Sequence, residues 1–92
     1  MKAYRLAVWS PLEIGDTVVT GDLHHAASIQ LHVIEDIYHI QSMARKTAWC
    51  IYRLESGECV SLEQIIWRID PVTGERVSLK PEKATIEEVE HV

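Results

Sequence analysis

Histidines are the residues whose spacing most directly suggests chemistry, because four of them lie between positions 24 and 39. Neutral imidazole is a common ligand for zinc, copper and nickel. If this stretch were a helix, one face would carry a candidate metal site formed by His32, Glu35, Asp36 and His39. On a strand with a bulge the same side chains scatter, and their spacing matches no zinc motif. We therefore favour a solvated polar face and predict no cofactor.

The two cysteines are the candidate nucleophiles, but a catalytic thiol needs a base in contact and an electropositive setting. Cys59 follows the anionic Glu58, and the chain has no CxxC pair. Ser56-Gly57 predicts a two-residue hairpin turn that sets Leu54 opposite Cys59. Cys50 then lies about 13 Å from Cys59 along the strands, whereas a disulfide needs Cα atoms within roughly 7 Å. We expect two free thiols that pack as small core residues.

Motifs for nucleotide or hydrolytic chemistry are absent from the sequence, which contains no GxGxxG, GxxxxGK[ST], HExxH or GxSxG pattern. The carboxylates are spread along the chain, and no pair is marked as an acid-base couple. We predict no catalytic residue and expect that the chain is not an enzyme.

The hairpin around residues 48–54 is apolar on both faces. Alternation puts the even-numbered residues on one face and the odd-numbered residues on the other. One face lines the core, so the other must be covered by an extra element or by a second molecule. A chain of this size gains stability by assembling. We predict binding to a protein partner or to a second copy in a homodimer, through a face formed by Trp49, Ile51, Arg53 and Trp67.

Basic residues are scarce, with nine Lys and Arg against fourteen Asp and Glu and a formal charge of −5. Binding to duplex DNA through its phosphates needs clustered cations. The one basic cluster lies near Trp49 and consists of Arg45, Lys46 and Arg53. Cations beside an aromatic ring can hold single-stranded nucleic acid, which is the alternative function. Three charges are too few for specific binding, so we favour a solvated loop and expect no nucleic-acid partner.

Residues 29–40 decide the architecture, and they fit two patterns. As a strand, Ile29, Leu31 and Val33 alternate with polar residues, and the phase slips near Glu35-Asp36 as a β-bulge allows. As a helix over about 28–46, the stretch would give an α+β fold with one apolar stripe. Five of these twelve residues are Ile or Val, and β-branched residues favour strands. We predict a strand.

The rest of the chain has the pattern of short strands joined by tight turns. Residues 2–9 alternate as a first strand, and residues 65–69 form another. Residues 70–74 have the composition of a tight turn, and residues 76–79 return as a strand. The predicted fold is therefore mostly β, either a small barrel or a curled antiparallel sheet.

The charge distribution divides the chain near residue 80. Residues 1–80 are predicted to form a single domain. Residues 81–92 are acidic and are expected to form a short helix or a tail, because Thr85 and Glu88 resemble a capping box. Arg5 interrupts the only N-terminal apolar stretch, so no signal peptide is predicted. No apolar run approaches the length of a membrane span, and we expect a cytoplasmic protein.

Four segments resemble the strand-and-turn order of SH3-like small barrels of the Tudor and KOW type: IGDTVV at 14–19, VIEDIY at 33–38, YRLESGE at 52–58 and LEQII at 62–66. The resemblance covers about residues 14–69. It leaves an extra N-terminal strand in residues 1–9 and an extra hairpin in residues 67–79. Such barrels commonly serve as adaptors that bind protein or nucleic acid, so the resemblance implies a binding function.

Overall fold

The computed structural model describes residues 2–90, with the side chains of residue 5 and residues 7–85. These residues form antiparallel strands and one 3-10 turn at Leu62–Gln64. The strands are β1 (Lys2–Trp9), β2 (Thr17–Asp22), β3 (His25–Ser42), β4 (Thr47–Leu54), β5 (Cys59–Ser61), β6 (Ile65–Ile69), β7 (Arg76–Val77) and β8 (Lys83–Glu90). The predicted mostly-β class is confirmed.

Two sheets make up the fold. One is a two-stranded ribbon of β1 and β8, and the other has six strands in the order β5-β4-β3-β2-β6-β7. The larger sheet curls without closing into a barrel. Of the two predicted architectures, the observed one is therefore the curled antiparallel sheet. The described residues contain no helix with the length and apolarity that crossing a membrane requires.

Strand β3 is 18 residues long and organises the larger sheet. Its first half pairs with β2, and its second half pairs with β4. The strand prediction for residues 29–40 is confirmed, and the alternative helix over 28–46 is wrong. Cross-strand pairing with β2 and β4 stabilises β-branched residues in the extended conformation, whereas a helix disfavours them.

A bulge in β3 changes which residues face outward. The pairing register shifts between Ile34 and Asp36, where the sequence predicted a phase slip. Before the bulge, His32 is buried and Leu31 is exposed, whereas after it the even-numbered Tyr38 is exposed. We call the side of the sheet that carries His32 and the core the inner face, and the opposite side the outer face. The bulge therefore keeps apolar residues on the outer face along the whole of β3.

The β4–β5 hairpin has a three-residue loop rather than the predicted two-residue turn. Gly57 N donates to Leu54 O at 2.9 Å, and Leu54 N donates to Glu58 O at 2.8 Å. Gly57 has a φ of 89°, and a glycine in this left-handed region typically completes such a loop. The register moves by one residue, so Cys59 lies opposite Arg53 instead of Leu54. Both cysteines are free thiols, as predicted. Cys50 is buried in the core, but Cys59 is exposed, so the expectation that both pack as core residues is wrong for Cys59.

The hydrophobic core lies on the inner face. The ribbon of β1 and β8 contacts β4 there, and Val8 of β1 packs against the buried side chains. The buried members of this core are Leu12, Val18, Ile34, Cys50, Tyr52, Leu54, Val60 and Ile65. The ribbon thus lies on the core face of the β4 hairpin, and among the described residues no strand covers the opposite face, for which an extra element or a second molecule was predicted.

The C-terminal segment is a strand, so the expected short acidic helix or tail is wrong for residues 83–90. Strand β8 pairs along its whole length with β1, from Lys2 opposite Glu90 to Trp9 opposite Lys83. Pairing with β1 gives β8 cross-strand hydrogen bonds at every second residue. A capping box would supply fewer hydrogen bonds to the same segment. The β-branched Thr85 belongs to the β-favouring pattern of this segment.

The predicted hairpin that follows β6 is present. Gly74 N donates to Asp70 O at 2.8 Å, and Asp70 Oδ1 accepts from the N–H groups of Val72 and Thr73. These backbone hydrogen bonds lower the pKa of Asp70 below its ordinary value. Strand β7 returns for two residues, which is shorter than the predicted strand over 76–79.

Candidate interaction surface

The outer face of the β3–β4 hairpin carries an apolar patch. Directly paired residues of antiparallel strands share one face, and the pairs here are Tyr38 with Ile51 and Ile40 with Trp49. Tyr38, Ile40 and Trp49 are exposed, and the side chain of Trp49 keeps 39% of its surface accessible. We call these four residues the Trp49 patch.

Arg53 forms the charged border of the Trp49 patch. Its Nε lies 3.4 Å from Glu35 Oε2, and its Nη2 lies 4.0 Å from Asp36 Oδ2. Its Nη1 donates to the Tyr38 hydroxyl at 3.0 Å, while the guanidinium carbon lies 6.0 Å from the centre of the Tyr38 ring. The hydrogen bond to Tyr38 therefore positions the side chain, and the two nearby carboxylates compensate its charge.

A second apolar surface lies at the other end of the sheet. Trp67 pairs with Val19, and Val19 pairs in turn with Leu31, whose side chain is 64% exposed. A groove of about 480 Å³ opens beside these residues. Its apolar wall, which we call the Trp67 groove, is formed by Val19, Leu23, Ile29, Leu31, Trp67 and Ile69.

One cation stands at the rim of the Trp67 groove. The guanidinium carbon of Arg76 lies 4.7 Å from the centre of the Trp67 ring. At this distance the cation interacts favourably with the aromatic face. The Arg76 guanidinium therefore covers part of the indole, while Leu23 and Leu31 of the apolar wall are exposed.

The structure brings three of the four predicted interaction residues together and separates the fourth. Trp49, Ile51 and Arg53 share the outer face of β4. Trp67 lies across β2 from Leu31. Leu31 is nine residues along β3 from Ile40, the partner of Trp49, which corresponds to roughly 30 Å at the rise of a strand. The outer face thus has two separate apolar surfaces, and residue spacing alone could not show that β4 and β6 are not neighbours.

The predicted basic cluster is also divided. Arg45 and Lys46 lie at the tip of the β3–β4 hairpin, where Lys46 N donates to Met43 O at 3.3 Å. Arg53 lies seven residues further along β4, about 23 Å away at the rise of a strand. Because Arg53 contacts carboxylates, its charge is already compensated within the chain.

The four candidate metal ligands are spread over the strand. His32 is buried on the inner face, Asp36 and Glu35 contact Arg53, and His39 is exposed opposite Cys50. Among the described residues, no group of three or more His, Cys, Asp and Glu side chains has the geometry to hold a metal ion. The scatter follows from the extended backbone and its bulge.

A contact between the side chains of His32 and Glu55, which we call the clasp, was not predicted from the sequence. The imidazole Nδ1 lies 3.0 Å from Glu55 Oε1, and its Nε2 lies 3.1 Å from Gln30 Oε1. Glu55 Oε2 accepts from Val33 N–H at 2.8 Å. Partial desolvation raises the pKa of Glu55, but hydrogen bonds from Val33 and His32 outweigh it and leave that pKa lowered. These residues are 23 positions apart, so no local motif could have signalled the pair.

A polar cluster in the core was likewise not predicted. The Tyr52 hydroxyl lies 2.8 Å from Ser10 Oγ and donates to Glu82 Oε1 at 3.1 Å. Glu82 Oε2 accepts from Cys50 N–H at 3.3 Å. Burial, reinforced by the charge of Glu82, raises the pKa of the Cys50 thiol, and burial also raises the pKa of Tyr52. The cluster ties the segment before β8 to β4 and keeps the thiol protonated.

Comparison of the chain with protein-family models, with curated proteins and with solved structures found no match. The resemblance to SH3-like barrels stays a prediction.

Proposed function

We propose that this chain is a non-enzymatic interaction module that associates with a second copy of itself through the outer face of its larger sheet. The observation that carries the proposal is the apolar character of both ends of that face. Three residues of each surface are exposed, although the chain has a two-stranded ribbon available to cover one side of the sheet: Tyr38, Ile40 and Trp49 in the Trp49 patch, and Leu23, Ile29 and Leu31 in the Trp67 groove. Large exposed apolar patches mark association surfaces.

The surface area of the chain supports association. Its accessible surface is 6680 Å², whereas a folded monomer of this mass exposes about 5,400 Å². The excess is larger than the roughly 800 Å² that each partner loses in a standard interface. The radius of gyration of 15.7 Å also exceeds the value of about 12 Å for a compact chain of this length. The larger radius reflects an elongated chain with extents of 54 × 28 × 22 Å, and a second copy on the outer face would bury part of the excess surface.

The contacts of the polar side chains support a role without catalysis. Both ring nitrogens of His32 are occupied, one by Glu55 and the other by Gln30. A nucleophile needs a free basic nitrogen within hydrogen-bond reach. Cys50 is buried beside the Glu82 carboxylate, which disfavours the thiolate. The polar groups that sequence inspection picks out therefore serve the fold.

Sedimentation velocity over a range of concentrations tests the proposal. We expect a reversible increase in mass, with a dissociation constant of roughly micromolar or tighter. Truncating an interface tryptophan commonly costs about 2 kcal/mol or more, so Trp49→Ala or Trp67→Ala should weaken association at least about tenfold. Ile14→Ala is the matched control, because Ile14 is exposed and lies outside both surfaces.

Two results would contradict the proposal. The first is a chain that sediments as a monomer at every protein concentration up to roughly 100 μM, about a hundredfold above the micromolar dissociation constant expected of such an interface. The second is association that neither tryptophan substitution weakens. Thermal melting of each variant establishes that the substitution has left the fold intact.

A further inference from the structure

Along its first half, strand β3 leaves one edge unpaired. Its first half pairs with β2 on one side, and its pairing with β4 begins only at Ile34. In the part of the chain that the structure describes, no strand pairs with residues 25–32 on the β4 side. An exposed edge presents unpaired N–H and C=O groups, which recruit another strand.

The direction of the backbone groups can be assigned from Val33. Glu55 N donates to Val33 O at 3.0 Å, and Val33 N donates to the Glu55 carboxylate at 2.8 Å. Val33 therefore directs its backbone groups toward the β4 side. Because these groups alternate along a strand, Ile29 and Leu31 direct theirs to the same open side.

The open edge lacks the charges that usually protect such edges. Residues 23–34 contain no Lys, Arg, Asp or Glu in a chain with 25% charged residues. Edge strands are normally kept apart by inward-pointing or flanking charges. Two copies of a chain with a net charge of −5 repel each other, but residues 23–34 add no charge repulsion where two such edges would meet.

The two ends of the edge are chemically complementary. His24 and His25 lie at the β2 end of the edge, and Glu55 and Glu58 lie in and beside the loop at its other end. A two-fold axis between antiparallel strands brings the histidine end of one copy to the carboxylate end of the other. This self-complementarity identifies a second copy as the occupant.

We propose that two copies pair their β3 strands in antiparallel fashion along residues 25–32, so that the larger sheet continues from one molecule into the next. The partner strand adds hydrogen bonds to the backbone of Ile29 and Leu31. It also lies beside the Trp67 groove, where it covers part of the exposed apolar surface. This inference rests on the proposed self-association and concerns the Trp67 end of the outer face, since the Trp49 patch lies roughly 30 Å further along β3 at the rise of a strand.

Amide hydrogen exchange followed by NMR at low and high protein concentration tests the pairing. The amides of Ile29 and Leu31 should exchange at least about tenfold more slowly once more than about nine-tenths of the chain is associated. The amides of Gln30 and His32 are internal controls, because they point toward β2 in the single chain. Their exchange should change much less.

Substitutions at the edge provide a second measurement. Ile29→Pro removes an N–H that faces the open side, so the fold loses no strand hydrogen bond while the edge loses a donor. Leu31→Lys places a charge on each copy at the contact. Both should weaken association at least tenfold, whereas Ile14→Lys should not.

The outcomes separate the two proposals. Association that leaves the exchange of Ile29 and Leu31 unchanged would overturn the strand pairing while the proposed function stands. A chain that never associates would overturn both. If Ile29→Pro fails to fold, the exchange data and Leu31→Lys still decide the matter.

Discussion

Glu55 lies against His32, with its carboxylate Oε1 3.0 Å from the imidazole Nδ1. The contact occurs where β3 leaves β2 and joins β4, and the second carboxylate oxygen binds the N–H of Val33 at the same place. One acidic side chain thus ends the open edge of β3 and fixes a buried histidine. This contact links the two halves of the sheet, and no local sequence pattern signals it.

Because Glu55 contacts His32 and Val33, the free energy of unfolding should depend on pH. The pKa of Glu55 is lowered in the folded chain, so the stabilisation is present above the unfolded pKa of about 4.3 and is lost as the pH falls through the folded value. Urea unfolding between pH 7 and pH 3 should therefore show a smaller loss of stability on acidification for Glu55→Gln than for the natural chain. Glu63→Gln is the control and should follow the natural chain. Parallel pH profiles for all three proteins would contradict the clasp.

The buried hydroxyl of Tyr52 should contribute to stability. Tyr52→Phe removes the hydrogen bond to Glu82 and the contact with Ser10, which leaves polar groups without a partner and costs about 1–3 kcal/mol. Tyr38→Phe is the matched control, since its hydroxyl is exposed and the expected cost is below about 0.5 kcal/mol. Equilibrium unfolding in urea measures both. Equal effects of the two substitutions would show that the polar cluster does not hold β8 and its preceding segment to β4.

The two thiols should differ in reactivity. Cys59 is exposed, whereas Cys50 is buried and its pKa is raised by burial and by Glu82. A thiol reagent such as Ellman's reagent should therefore modify one cysteine per folded chain and both cysteines in denaturant. Cys59→Ser should abolish the reaction of the folded chain. Rapid reaction of both thiols without denaturant would mean that Cys50 is accessible.

Much of the fold follows from local patterns. The β-branched residues of β3 and the phase slip near Glu35 predicted both the strand and its bulge, because alternation reports directly on the faces of a strand. The alternation of β4 likewise predicted which side of that strand is buried. These features depend on neighbouring residues only.

Other features depend on contacts that local patterns do not encode. The observed β4–β5 register differs by one residue from the prediction because Glu55 joins Ser56 and Gly57 in the loop, and a serine-glycine pair fits either loop length. The strand at Lys83–Glu90 exists because β1 lies beside it, which its acidic composition concealed. Trp67 was grouped with Trp49 because both are outward-facing aromatic residues, yet strand order puts them at opposite ends of the sheet.

We propose that a second copy covers the outer face of the larger sheet, and the mass of the protein in solution tests this most directly. Light scattering coupled to size-exclusion chromatography measures the mass directly. We expect the mass to rise with concentration from 10.5 kDa toward twice that value, and Trp67→Ala and Leu31→Lys to shift the transition to higher concentration. A mass that stays at 10.5 kDa at every concentration would contradict the claim.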